Sequence, residues 1–139
     1  MASRLNPYLN FRGRAREALE FYASVFGGDT AISTFGEFGD PPPGSEATDV
    51  MHGQLETPMG FTLMCADVPT SMELNPGDNI TVSLSGDDAD ALRGYWERLS
   101  ADGTVTFPLE KQMWGDEFGL VKDRFGVQWM VDFGEPQAE

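Results

Sequence analysis

The chain has 139 residues, 40% of them hydrophobic, and carries 23 Asp and Glu against 9 Lys and Arg, for a net charge of -14. That size and apolar share suit one compact domain, or two small halves sharing a core, and argue against disorder. The acidity excludes a nucleic-acid binder that works by phosphate neutralisation, disfavours anionic membranes, and reads most simply as a solubility charge.

The single cysteine, Cys65, leaves no internal disulfide and no thiolate cage for zinc, which suits a cytoplasmic protein. No apolar run reaches transmembrane length, and the first residues, MASRLNPYLNF, hold no long apolar stretch. Neither a membrane span nor a signal peptide is expected.

A strand-like run opens the chain at 5–11 (LNPYLNF). A helix follows, because Ala15, Ala18, Leu19, Tyr22, Val25 and Phe26 fall on one stripe and Gly27 and Gly28 end it. Strand-like runs come next at about 29–36, 49–56 and 60–66. The loop EFGDPPPGSEATD separates the first two, and its three consecutive prolines cannot join a sheet interior. It reads as a surface connection, with a flap over a pocket as the alternative.

The same order then recurs. A strand is expected at 79–85 (NITVSLS), then a helix whose stripe is Ala89, Leu92, Trp96 and Leu99. Asp87 or Asp88 caps its start and Gly103 follows its end. Strands are expected at about 104–110, 117–122 and 127–133. EALEFY (17–22) matches DALRGY (90–95), and GFTLM (60–64) matches GVQWM (126–130). The common order of these matches gives two βαβββ units in tandem, about 4–67 and 78–134, within a single domain spanning 1–139. The fold class is α+β.

Strand alternation sorts residues by face. Leu5, Pro7, Leu9 and Phe11 oppose Asn6, Tyr8 and Asn10. Ile80, Val82 and Leu84 oppose Asn79, Thr81 and Ser83. Phe61, Leu63 and Cys65 oppose Thr62, Met64 and Ala66, and Val127, Trp129 and Val131 oppose Gln128, Met130 and Asp132. Each apolar face is expected to pack on a helix, while the other face is polar with methionine. In 49–56, alternation groups Val50, His52, Gln54 and Glu56 on the mixed face. Cys65 falls on the helix side and is expected to be a buried, inert thiol.

NPYLNF…AREALEFYASVFGG, VMHGQLE, LMCAD and DRFGVQW together resemble the PhnB-like branch of the vicinal oxygen chelate superfamily, which includes glyoxalase I and the bleomycin-resistance proteins. The resemblance spans nearly the whole chain. It implies two units that curl their mixed faces into a cup-shaped mixed sheet with helices outside, and a homodimer. The branch often carries the label 3-demethylubiquinone methyltransferase-like. No strand–glycine-loop–helix unit suited to a methyl-donor cofactor stands out in the sequence.

Metal-dependent members of the superfamily place His or Gln on the first strand of each unit and Glu on the last. Here the tail motif Asp123-Arg124-Phe125-Gly126 leads to Met130 where the glutamate would be, and the repeat puts Met64 at the partner position. The first-strand positions fall on Asn6 and Asn79. Two amides and two thioethers are poor ligands for divalent metals, so no metal and no cofactor are expected.

The predicted ligand-binding set is Asn6, Tyr8, Gln54, Met64, Asn79, Thr81, Ser83, Trp114, Gln128 and Met130. His52, the only histidine, is the candidate catalytic residue, as a base or as a hydrogen-bond donor to a ligand. The competing reading makes it a structural histidine bonded to a backbone carbonyl. Trp114 roofs the cup or packs in a dimer interface. Trp96 and Trp129 belong to the core, and Asp67 is expected to be a turn residue. The expected function is metal-free binding of a small organic molecule, whether to sequester or to process it. The alternatives are a glyoxalase- or dioxygenase-like enzyme that uses His52 as base or a metal at a non-standard site, and a structural dimer with a filled cup.

Overall fold

The structure is a computed structural model and describes residues 3–134. It divides into two compact units, Met1–Asn75 and Pro76–Glu139. Unit 1 runs β1 (Tyr8–Phe11), α1 (Ala15–Phe26), β2 (Asp29–Thr34), a 3-10 turn (Phe35–Phe38), β3 (Val50–Glu56) and β4 (Thr62–Asp67). Unit 2 runs β5 (Val82–Gly86), α2 (Ala89–Ser100), β6 (Thr104–Lys111), β7 (Glu117–Lys122) and β8 (Gln128–Phe133). The sheets are ordered β1-β4-β3-β2 and β5-β8-β7-β6. In each, the first and last strands pair in parallel and the rest are antiparallel. The fold is therefore α+β, built from two repeated βαβββ units.

The repeat extends to the turns. Ahead of β4, Thr57 N–H donates to Phe61 O (3.0 Å) and Gly60 N–H to Thr57 O (3.0 Å). Ahead of β8, Asp123 N–H donates to Val127 O (2.8 Å) and Gly126 N–H to Asp123 O (3.0 Å). Gly60 and Gly126 sit at φ 87° and 89°, a left-handed conformation that glycine adopts without steric cost. Asp123 is buried, and its carboxylate accepts from Phe125 N (2.8 Å), Val127 N (3.1 Å) and the Trp129 indole N–H (2.8 Å). It fixes both the turn and the orientation of the buried Trp129.

α1 buries the six residues of the expected stripe. It lies close to β3 because Gly53 has no side chain. A Cβ there would stand 2.9 Å from Cys65 Sγ and 3.1 Å from Leu19 Cδ2. α2 departs from expectation. Its buried residues are Leu92, Tyr95 and Leu99, whereas Trp96 and Ala89 are half-buried. Trp96 packs against Gly119, where a Cβ would stand 2.7 Å from its ring and 3.0 Å from Leu109 Cα. The half-buried indole thus covers the bare Gly119 of β7, and the tyrosine matching Tyr22 takes the core position. Asp88, rather than Asp87, caps α2 by accepting from Ala91 N (3.1 Å).

Both opening strands start later than the alternation predicts. Leu5, Asn6 and Pro7 precede β1, and Asn79, Ile80 and Thr81 precede β5. Leu5 is 100% exposed and Ile80 77%, so neither packs on a helix. Pro7 has no N–H to give a ladder, and only its carbonyl takes part, accepting from Met64 N at 3.1 Å. The proline-rich loop is pinned as a connection. Thr70 donates from N and Oγ1 to Gly44 O (3.0 and 3.2 Å), and Ser71 Oγ donates to Pro43 O (2.7 Å).

Asp67 is not a turn residue. It ends β4, is 5% exposed, and accepts Ala15 N at Oδ1 and Val50 N at Oδ2, both at 2.9 Å. The cap of α1, Arg14, makes no side-chain cap bond, so a carboxylate distant in sequence does that work while also holding the first residue of β3. Replacing Asp67 by Ala leaves two buried N–H groups unpaired, each worth about 1–3 kcal/mol. Urea denaturation of Asp67→Ala is expected to show a loss of about 3 kcal/mol or more. Asp67→Asn is expected to fall close behind, since its amide NH2 must face one of the two donors. A loss under about 1 kcal/mol in both variants contradicts the assignment.

Candidate functional site

β3 carries the chain's only histidine. Register against β2 shifts between Ser33, which faces His52, and Thr34, which faces Val50, so Met51 is an extra residue. This β-bulge overturns one expectation, because it breaks the alternation between Val50 and His52. Val50 turns to the α1 side and is 1% exposed, its Cγ1 3.5 Å from where a Gly53 Cβ would be. His52, Gln54 and Glu56 stay on the face away from α1.

Cross-strand register places Tyr8, Met64, Gln54 and Ala31 in one row on that face; next to it Asn10 pairs with Ala66, and His52 with Ser33. The Tyr8 and His52 rings are 5.9 Å apart and tilted by 42°. A polar chain runs along the face. His52 Nε2 lies 3.3 Å from Gln54 Oε1, and Gln54 Nε2 donates to Glu56 Oε1 at 2.5 Å. Thr62 Oγ1 donates to Glu56 Oε2 at 2.7 Å, and Arg4 Nη1 reaches Thr62 Oγ1 at 3.5 Å and Glu56 at 3.7 Å. Hydrogen bonds from Thr62, then Gln54, hold the Glu56 carboxyl below its usual range. Burial, and secondarily the charge of Cys65, push the Tyr8 phenol up.

In unit 1, Tyr8, His52, Gln54 and Met64 come together, whereas Asn6 lies before β1 outside the ladder. In unit 2, Ser83 sits beside Met130, and Gln128 faces Lys122. Asn79 and Thr81 are exposed and precede β5. Trp114, 62% exposed in the turn between β6 and β7, stands edge-on to Phe118 at 6.0 Å.

The strand positions nearest the two methionines are therefore Tyr8 and Ser83, two or four residues beyond the asparagines expected there. A phenol or a hydroxyl beside a thioether is a poor donor set for a divalent metal. Among the described residues no three His, Cys, Asp or Glu side chains cluster as ligands. These donors do not fit a divalent metal.

Two features were not foreseen in the sequence. One is the Glu56–Thr62–Arg4 end of the polar chain; alternation put Glu56 and Thr62 on their faces, but only the register joins them. The other is aromatic. Phe118 and Leu120 share the Ser83–Met130 face of unit 2, and Phe107 stands edge-on to Phe118 at 5.5 Å. On the same face Asp132 is raised above its ordinary range by burial first, then by a hydrogen bond and charge from Asp116. Among the described residues, grooves of about 470 Å³ lie beside α2 in unit 2. One is lined by Arg93, Lys111, Glu117 and Phe133, another by Trp96, Val105, Pro108 and Leu109, and neither contains a predicted site residue.

This architecture, with each four-stranded mixed sheet backed by one helix, is the glyoxalase-like fold. A crystal structure of a glyoxylase/bleomycin resistance protein/dioxygenase domain from Frankia sp. EAN1pec shares the fold, with TM-score 0.65 at 12% identity over 99% of this chain and 96% of that one. Protein PA1353 from Pseudomonas aeruginosa matches with TM-score 0.84 and 31% identity over 97% of this chain and all of that one. A Bacillus cereus PhnB protein, described as a putative 3-demethylubiquinone-9 3-methyltransferase, matches with TM-score 0.72 and 25% identity over 95% and 100%. Residues 3–132 match the family model described as 3-demethylubiquinone-9 3-methyltransferase, and the chain belongs to that PhnB-like family.

Cys65, on the α1 side, is 1% exposed with its Sγ 3.8 Å from Ala15 O, and burial, then the charge of Asp67, push its thiol up to about 11. The native protein is expected to resist a thiol reagent such as iodoacetamide at pH 8 and to react stoichiometrically in urea. Rapid native labelling contradicts the placement. Asp132 tests the electrostatics. A carboxyl with a raised native value binds its proton more tightly when folded, so stability falls as pH rises through that value. Asp116→Asn is expected to raise the urea midpoint at pH 7 and to leave it nearly unchanged at pH 3. An equal shift at both values contradicts the pairing.

Proposed function

We propose that the protein binds a small organic molecule on the helix-free face of the unit 1 sheet, without a metal. The observation that carries this reading is the convergence of Tyr8, His52, Gln54 and Met64 on that face, where half-buried polar groups lie among a ring and a polarizable thioether. Ligand sites combine an apolar wall with a few fixed polar groups, and this face has both. The aromatic face of unit 2, with Phe118, Trp114, Met130, Ser83 and Gln128, offers comparable chemistry and supports the same class of ligand. The family description names methyl transfer; the βαβββ order of each unit differs from the doubly wound sheets that seat a nucleotide-type cofactor, which favours the binding reading.

We further read the protein as a cytoplasmic homodimer. Among the described residues no helix is long and apolar enough to cross a membrane. Exposed Val105, Phe107, Met113 and Trp114 in unit 2 supply apolar surface for a second copy. Catalysis with His52 as base is the second reading, favoured by the polar chain behind its Nε2.

A thermal-shift screen of small neutral aromatic and heteroaromatic compounds tests the binding reading. A compound at one hundred times its Kd stabilises by about 2.7 kcal/mol, a shift of several degrees for a chain this size. Hits are expected to lose about tenfold or more in affinity with His52→Ala, whose unliganded melting temperature stays within about 2 °C of wild type. No stabilisation across the library, or equal binding by His52→Ala, contradicts the site. Conversion of a hit by wild type but not by His52→Ala selects the catalytic reading.

A further inference from the structure

Glu56 sets a direction along the polar chain. Its carboxylate accepts from Thr62 Oγ1 and can only accept, so the Gln54 group 2.5 Å from it is the amide nitrogen. That orientation turns Gln54 Oε1, an acceptor only, toward His52 Nε2 at 3.3 Å. The nitrogen facing an acceptor must carry the proton. In a neutral imidazole the other nitrogen, Nδ1, is then a lone-pair acceptor, and among the described residues it has no hydrogen-bond partner.

We propose that Glu56 and Gln54 lock His52 as the Nε2–H tautomer, and that the free Nδ1 makes this face a site for neutral aromatic ligands bearing a weakly acidic hydroxyl, phenols and enols. The inference rests on the binding reading above and deepens it. Nδ1 receives the ligand O–H. Tyr8, 47% exposed with its ring 5.9 Å from the imidazole, and Met64 beside it supply a flat, polarizable surface for the ring. Ionised Glu56 and the net charge of -14 disfavour an anion, so the hydroxyl binds in its protonated form. In the tautomer lock, Gln54 and Glu56 are positioning residues that orient the His52 imidazole.

Because the chain has one histidine, its imidazole nitrogens are unambiguous in a long-range 1H–15N spectrum of the 15N-labelled full chain. At pH 8.5, where an ordinary imidazole is neutral, wild type is expected to show the Nε2–H pattern alone, and Gln54→Met and Glu56→Ala an exchange-averaged mixture. An Nδ1–H pattern in wild type, or an averaged one identical to that of Gln54→Met, overturns the lock. Gln54→Met, close in volume, carries the comparison if Glu56→Ala loses its dispersed spectrum. Titration with 4-ethylphenol and with its methyl ether, 4-ethylanisole, tests the ligand class. The phenol is expected to shift Nδ1 and to bind about tenfold or more tightly than the ether, the worth of one hydrogen bond to an otherwise unpaired acceptor. Equal binding of both at His52 overturns the donor requirement and leaves the binding face standing. No perturbation of Tyr8, His52 or Met64 by either compound overturns both.

Discussion

The Asp67 carboxylate is the constraint on which unit 1 depends. Its two oxygens take the first N–H of α1 and the first N–H of β3, both at 2.9 Å and both buried. A buried carboxylate is tolerated only where its lone pairs are met by donors, and here the donors come from the two elements that must be aligned. With α1 held at its start, its apolar stripe lies along Leu55, Leu63 and Cys65. The sheet thereby acquires a dry face and a face free of the helix, and every functional residue discussed for this unit depends on that division.

The bulge at Met51 works with the anchor. Val50 must direct its N–H to Asp67 and its side chain to the core, while His52 must stay on the opposite face. Strict alternation cannot satisfy both demands, and one extra residue in β3 does. Gly28 shows how tightly the neighbouring strand start is held: at φ 104°, a Cβ there would collide with the Glu56 carbonyl oxygen. Unit 2 solves the same problems with other groups. α2 carries its own cap in Asp88, and the buried carboxylate moves to Asp123, where it fixes a turn and an indole. Phe133, which ends β8 as Asp67 ends β4, is apolar and lies under the Arg93 guanidinium, 5.0 Å from ring centroid to Cζ.

Much of the fold was legible in the sequence because its signals are local. The α1 stripe, the double glycine after it, the glycine turns ahead of β4 and β8 and the matched hexapeptides all act over a few residues. Tyr95 was legible as well, since the repeat aligns it with Tyr22; the larger indole next to it drew the stripe one position too far. The missed features come from tertiary contacts. A strand-exit aspartate looks the same in a turn as in a core, and only the approach of α1 and β3 makes Asp67 an anchor. Alternation put His52 on the right face, but the bulge that moves Val50 arises from pairing with β2. The first-strand asparagines were misplaced because β1 starts only after Pro7 and β5 only at Val82, so the partners of Met64 and Met130 are Tyr8 and Ser83.

The architecture of unit 1 rests most directly on the two N–H groups held by Asp67. Amide hydrogen exchange followed by NMR reads them individually. The first N–H groups of a helix have no intrahelical partner and ordinarily exchange fast. In this protein the Ala15 and Val50 amides are expected to exchange as slowly as those of Leu55 and Leu63 in the sheet centre, at the rate set by unfolding of the whole unit. Exchange of Ala15 and Val50 as fast as exposed loop amides, with the sheet centre still protected, would contradict the account.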